Sequence, residues 1–197
     1  MAVETLLPIR QICLLALSLL FVGCASDQRN SDDRSTQSAQ SRKTAEDMAY
    51  WNGDGASGPA RIKIALGEQR AYFFKGDNVV GATPVSTGRA GYRTPTGKFA
   101  VLSKNIDHIS SIYGSFVDDH GNVVQSDADA RTDRRPPGTY FSGAPMPYFM
   151  RFYGGIGMHA GHLPGYPASH GCVRLPKHMA AHFFYNVKTG TPVHVVN

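Results

Sequence analysis

The chain has 197 residues, of which 42% are hydrophobic, so it is long enough for one domain with a buried core and an additional segment. Its 20 Lys and Arg residues outnumber its 15 Asp and Glu residues, but they form no arginine-rich helix and are not interleaved with aromatic residues, which argues against a nucleic-acid partner. Only three cysteines are present, Cys13, Cys24 and Cys172.

An apolar run over residues 12–22 follows Arg10 near the N-terminus. It is too short to span a bilayer, which takes about 20 residues, but it has the length of the apolar region of a signal peptide. The run ends at Gly23-Cys24, which resembles a bacterial lipobox, where the cysteine is lipidated and becomes the first mature residue. We therefore predict a lipoprotein-type signal peptide over residues 1–23 and an exported, periplasmic lipoprotein anchored to a membrane of the cell envelope through Cys24. The alternative is an ordinary secretory signal cleaved nearby.

Residues 24–60 are predicted to form a disordered tether. Ser, Gln, Asp and Arg dominate residues 27–47, and such a composition cannot bury a core. Tyr50 and Trp51 are the first residues expected to touch the folded domain. Residues 61–197 form that domain, with fifteen Lys and Arg against eight Asp and Glu. This excess suits an anionic envelope polymer, although solubility explains it equally well.

The domain is predicted to be mostly β, with a single clear helix. Alternation of apolar and polar residues with a period of two, together with turn residues, predicts strands; the predicted strands are residues 61–66, 71–74, 79–86, 98–103, 148–153 and 191–196. The helix is predicted to begin at Pro176, continue over residues 177–187 and end before Gly190. Residues 105–145 form a long, weakly patterned insert, which we interpret as a mobile lid.

The sequence Ser-His-Gly-Cys at residues 169–172 carries the clearest chemical signal. Once Cys13 is removed with the signal peptide and Cys24 is acylated, Cys172 is the only thiol left. A thiol becomes an effective nucleophile when a base accepts its proton and backbone N–H groups await the oxyanion. His170 and the upstream His159 are the candidate bases, and Gly171 allows the backbone to approach a substrate closely.

The motif around Cys172 resembles that of the L,D-transpeptidase (YkuD) catalytic domain. Members carry a histidine in an Ile-His-Gly-like context and then Ser/Thr-His-Gly-Cys, which residues 156–161 and 169–174 match here. Residues 85–88 with residues 94–99 match the Ser-Thr-Gly and Thr-Pro-x-Gly-x-Phe stretches of the family, and Met146-Pro147-Tyr148 gives a third match. The resemblance covers about residues 61–197. It implies two packed β-sheets with one or two short helices.

The resemblance also implies the roles of individual residues. Cys172 is the predicted nucleophile and His159 the predicted general base. The N–H groups of Gly171 and Cys172 are the predicted oxyanion donors. The remaining residues predicted to support the site or bind substrate are Ser169, His170, Arg174, Tyr148 and Tyr153.

The function predicted in this way is a cysteine-dependent L,D-transpeptidase that acts on peptidoglycan stem peptides without a cofactor. Two alternatives stay open: an L,D-carboxypeptidase or peptidoglycan hydrolase on the same scaffold, and a non-catalytic wall-binding module. Zinc chemistry is a further rival, because His159, His162, His170 and Cys172 could in principle bind the metal. We predict no metal site, since this spacing matches none of the common zinc patterns.

Overall fold

The computed structural model describes residues 48–197, which form eleven strands and one helix. In chain order these are β1 (Tyr50–Trp51), β2 (Ala60–Ala65), β3 (Arg70–Lys75), β4 (Asn78–Pro84), β5 (Gly97–Ala100), β6 (Ser103–Val117), β7 (Val123–Asp129), β8 (Tyr140–Tyr153), β9 (Ile156–Ala160), β10 (Val173–Leu175), the helix α1 (Lys177–Asn186) and β11 (Pro192–Val196). The predicted fold class, mostly β with packed sheets and a short helix, is confirmed. Within residues 48–197, no helix is long and apolar enough to cross a bilayer.

The first sheet has six strands in the order β1-β4-β3-β2-β11-β5. β2, β3 and β4 form an antiparallel meander, as the period-two pattern predicts, and Gly76 turns the chain between β3 and β4 at φ 58°. That left-handed conformation favours glycine. β11 lies between β2, to which it is parallel, and β5, to which it is antiparallel.

Tyr50 and Trp51 contact the folded domain ahead of residue 61, as predicted. β1 pairs with β4 at the edge of the first sheet, and the Trp51 ring packs edge-on against Phe73 and stacks on His182 of α1 at 4.9 Å. The aromatic surface of Trp51 therefore ties residues 50 and 51 into the domain. The predicted signal peptide, the lipidation site Cys24 and most of the predicted tether lie outside the described residues.

The core lies between the two sheets and is closed by α1. Phe73 of the first sheet, Met150 and Phe152 of the second, and Phe183 of the helix are all 2% exposed or less. Truncating a buried phenylalanine to alanine typically costs about 3–5 kcal/mol. The helix follows Pro176 as predicted and ends at Asn186, one residue before the predicted end. Its buried face packs against β8 and β9 of the second sheet.

The second sheet has five strands in the order β10-β9-β8-β6-β7. β6 and β8 pair along most of their length, and β7 adds an edge strand to β6. Residues 105–145, hereafter the arm, in which the sequence predicted no strands, therefore consist mainly of antiparallel strands. The strands of the arm were not predicted because they lack a regular alternation of buried apolar and exposed polar residues. Apolar residues such as Ile109 and Val123 are 62% and 60% exposed, so neither face of these strands is consistently buried.

Candidate active site

Strand pairing places Arg174 beside His159 on one face of the second sheet, and Cys172 directly precedes β10. β10 runs parallel to β9, with Arg174 opposite His159. Because side chains alternate along a strand, Arg174 and Cys172, two residues apart, point to one face while Val173 between them is buried on the other. The local fold therefore brings together residues that the sequence separates by a long loop.

The three side chains line a cavity of about 730 Å³. The arm contributes Ser110, Tyr113 and Arg131 to the cavity wall. Among the described residues, no Asp or Glu lines the cavity, whereas three arginines do: Arg131, Arg151 and Arg174. The cavity therefore suits a substrate that carries carboxylates.

His159 is held as a neutral base. Its ring is 5% exposed, and Nδ1 lies 2.8 Å from the carbonyl oxygen of Ala160. A carbonyl only accepts, so the proton is on Nδ1 and the lone pair of Nε2 is available to take another. Burial lowers the pKa of His159 to about 4, and the positive charge of Arg174 acts in the same direction. At neutral pH His159 is therefore an uncharged proton acceptor.

Cys172 is a protonated thiol in the resting state. Burial raises the pKa of Cys172, against a smaller lowering by a hydrogen bond from the backbone of Gly157 and by the charge of Arg174. Gly157 comes close because it has no side chain: a Cβ there would collide with the Phe149 ring. Both groups of the pair are therefore uncharged at neutral pH.

Ser169 shapes the loop at residues 169–172, hereafter the cysteine loop. Its hydroxyl accepts a hydrogen bond from the Gly171 N–H at 3.1 Å and donates one to the carbonyl oxygen of Cys172. Gly171 has φ 113°, a left-handed conformation that favours glycine. Since the Gly171 N–H is engaged by Ser169, the N–H of Cys172 is the better placed of the two predicted oxyanion donors.

The upstream Ser-Thr-Gly stretch fastens the cysteine loop to the first sheet. Ser86 and Arg174 exchange both backbone hydrogen bonds, at 3.0 and 2.9 Å. The Thr94 hydroxyl accepts from the Gly88 N–H at 3.0 Å and donates to the carbonyl oxygen of Gly171 at 2.8 Å. These two stretches therefore support the site through backbone hydrogen bonds and the Thr94 hydroxyl, and neither Ser86 nor Thr94 lines the cavity.

Arg174 offers an unmatched positive charge inside the cavity. It is partly buried, and no carboxylate among the described residues lies within salt-bridge distance of it. Burial lowers the pKa of Arg174, but a guanidinium stays charged in proteins. Its planar donors fit a carboxylate in two-point contact.

Residues 59–195 match the family model of the L,D-transpeptidase catalytic domain. The chain belongs to this family. Solved structures with a similar fold include three L,D-transpeptidases. The one from Mycobacterium smegmatis is 19% identical with a TM-score of 0.53, and the match covers 71% of this chain and 59% of that one. LdtMt1 in complex with imipenem is 21% identical with a TM-score of 0.54 (70% of this chain, 58% of that one), and a cysteine-to-serine mutant of the Enterococcus faecium L,D-transpeptidase is 24% identical with a TM-score of 0.52 (71% of this chain, 50% of that one). The chain spans between half and three-fifths of these relatives. No curated protein matches its sequence.

Two predicted substrate contacts of this L,D-transpeptidase domain lie elsewhere. The Tyr148 ring packs edge-on against Phe184 and Tyr185 of α1, and Tyr153 is 51% exposed beside Phe99. Neither lines the cavity. The reason for Tyr148 is strand alternation, which turns Phe149 toward the cavity and its neighbour toward the helix.

Several cavity residues of the L,D-transpeptidase domain were not foreseen from sequence. His108, Tyr113 and Arg131 belong to the arm, and Phe149 and Arg151 lie on β8. Only Phe149 and Arg151 lay in a predicted strand. Because they are two residues apart, the sequence could have shown that they share one face of that strand.

The four residues weighed as zinc ligands all line the cavity. In the described part of the chain, however, no group of three or more His, Cys, Asp or Glu side chains is arranged to hold a metal ion.

Proposed function

We propose that this chain is a cysteine-dependent L,D-transpeptidase that acts on peptidoglycan stem peptides. The observation that carries the proposal is the placement of Cys172 and His159 in one cavity, which has cationic side chains and no lining carboxylate among the described residues. Stem peptides are anionic, and their amide bonds are the acyl donors that a thiol can attack. Membership of the family supports the same reaction class.

In the proposed first half-reaction, a donor tetrapeptide places the carbonyl of its third residue at Cys172. The thiol proton moves to Nε2 of His159 as the sulfur attacks the carbonyl carbon. The N–H of Cys172 stabilises the oxyanion. The bond to the terminal D-residue then breaks, His159 returns the proton to the leaving amine, and a thioester is left on Cys172.

In the second half-reaction, the amine of an acceptor attacks the thioester. His159 takes a proton from that amine, the new amide forms, and the carbon–sulfur bond breaks. The thiolate recovers its proton from His159, so the enzyme returns to its neutral resting state. Arg174 holds a carboxylate of the donor and so orients the scissile bond.

Products formed from a purified disaccharide-tetrapeptide test this proposal. Mass spectrometry should detect a crosslinked dimer lacking one terminal D-residue. A monomeric disaccharide-tripeptide as the sole product would instead assign the chain as an L,D-carboxypeptidase. Unchanged substrate, together with no adduct from imipenem, would assign a non-catalytic wall-binding module.

The arm is proposed to favour transfer over hydrolysis, because it forms part of the wall of the cavity that holds the thiol and so limits access of water to the thioester. Ile109 and Pro145 are paired across β6 and β8, so residues 110–144 can be replaced by a short Gly-Ser turn. The shortened protein is expected to lose at least several-fold in the ratio of crosslinked to hydrolysed product. If the ratio and the rate of acylation by imipenem both match the wild type in the folded variant, the arm is not a lid.

The protein is further proposed to be an envelope lipoprotein acylated on Cys24. Two or three acyl chains are sufficient for stable anchoring. Cys24→Ser should leave the protein soluble or unprocessed in cell fractionation, whereas the matched change Cys13→Ser, inside the same apolar run, should leave it in the membrane fraction. A mature N-terminus without lipid, seen by intact-mass analysis of the wild type, would show simple secretion instead.

A further inference from the structure

The imidazole of His170 is clamped by residues from three other segments of the chain. Nη2 of Arg89 lies 2.7 Å from Nε2 of His170, and the Tyr113 ring of β6 stacks on the imidazole at 4.0 Å and 14°. Asp127 of β7 pairs with Arg89 at 3.2 Å and approaches the same imidazole nitrogen at 3.6 Å. The Tyr92 ring packs edge-on against the imidazole, with the ring centroids 4.7 Å apart.

The contact with Arg89 fixes the protonation of His170. A guanidinium only donates, so Nε2 of His170 must accept, and the single proton of the neutral ring is on Nδ1. Burial lowers the pKa of His170, and the charge of Arg89 lowers it further against an opposite effect of Asp127. The neutral ring is therefore the form that this arrangement stabilises.

The same contacts join the arm to the cysteine loop. The backbone N–H of Arg89 donates to the carbonyl oxygen of Ser169 at 3.0 Å, so this residue holds the cysteine loop through both its backbone and its side chain. Across the ring, Tyr113 is held in turn by Arg131, which donates to its hydroxyl at 3.0 Å and pairs with Asp129 at 2.6 Å. One wall of the cavity and the loop that carries the thiol thus meet at a single imidazole.

We propose that Arg89 is a positioning residue of the reaction: it sets the Nδ1–H tautomer and the orientation of His170, and together with Asp127 it fastens the arm to the cysteine loop. This inference rests on the proposed function for its effect on rate, but its structural part does not. A shift of the cysteine loop of about 1 Å can cost up to about 10²-fold in rate. Arg89 lies outside the cavity lining, and its guanidinium contacts His170, Asp127 and the face of the Tyr92 ring.

Histidine ring nitrogens in 15N-labelled protein give a direct test. The wild type is expected to show His170, assigned by comparison with His170→Gln, as the Nδ1–H tautomer. Arg89→Met should lose this single tautomer and slow acylation by imipenem about 10-fold or more, with the melting temperature little changed. Arg89→Lys keeps a donor and should retain the tautomer and recover part of the rate. Arg93→Met is the matched control, because Arg93 is exposed and in no hydrogen bond or ion pair within residues 48–197.

Three results would overturn the proposal: a wild-type His170 with its proton on Nε2, an Arg89→Met variant with unchanged tautomer and acylation rate, or equal loss of rate in Arg93→Met. If Arg89→Met does not fold, the tautomer and rate of Arg89→Lys decide. A wild type that imipenem does not acylate would instead count against the proposed function, since the tautomer is measured without any reaction.

Discussion

Replacing Cys172 with alanine is expected to abolish acylation and turnover, with a loss of about 10⁴-fold or more, as for other nucleophile knockouts. The reason is that Cys172 is the only cysteine among the described residues, and no other side chain in the cavity combines a nucleophilic atom with the position beside His159. Intact-mass analysis after incubation with imipenem is the measurement. The wild type should gain one adduct and the variant none.

The change removes one sulfur atom from a partly buried site, so the fold should survive. Circular dichroism and the melting temperature establish this point, and Cys172→Ser serves as a closer isostere that keeps a hydrogen-bonding group. A folded alanine variant with turnover near that of the wild type would end the cysteine mechanism.

Replacing His159 with glutamine is expected to slow acylation by at least about 10²-fold, the usual loss for a general base. Glutamine keeps a polar side chain of similar reach but cannot accept and return a proton at neutral pH. Single-turnover acylation by imipenem isolates this step from product release. His170→Gln is the comparison: if it is the crippling change and His159→Gln is mild, the roles assigned to the two histidines are reversed.

The pH dependence of His159 gives an independent check of its burial. Its pKa is about 4 in the folded protein and 6.5 in an unfolded chain, so the unfolded state binds a proton more readily between these values. Stability from this group is fully present above pH 6.5 and is lost as the pH falls through about 4, with a total on the order of 3 kcal/mol. His159→Gln should lack this part of the acid destabilisation. The acid limb of the acylation rate should likewise lie near pH 4 rather than 6.5.

Sequence patterns predicted the first sheet and the helix well because both have one buried and one solvated face. Ile62 and Ile64 alternate with Arg61 and Lys63, and Pro176 marks the start of α1. The arm has no such asymmetry, so its strands could not be recognised by period. The left-handed conformation of Asp127, at φ 53°, interrupts even the regular stretch of β7.

The candidate site was likewise predictable from the sequence only in part. The family motif pointed to Cys172 and His159, whereas nothing in the sequence pointed to Arg89 or Asp127. Their contacts with His170 join residues 81 and 43 positions apart, and such long-range pairs appear only when the arm and the cysteine loop are folded together. Ion pairs of this kind leave no periodic signal, since a charged residue on a strand is usually just a solvated one.

The central position of β11 has a consequence for the order in which the protein can fold. This strand is the last in the chain, yet it lies between β2 and β5, so the six-stranded sheet stays split until residues 192–196 are available. Joining β11 to β2 closes a loop that contains almost the whole domain, and such distant pairings are slow to form. Until then β2 and β5 present unpaired edges, which are sites for association with other chains. The pairing of β11 with β2 and β5 is therefore expected to be a late step in the assembly of the six-stranded sheet.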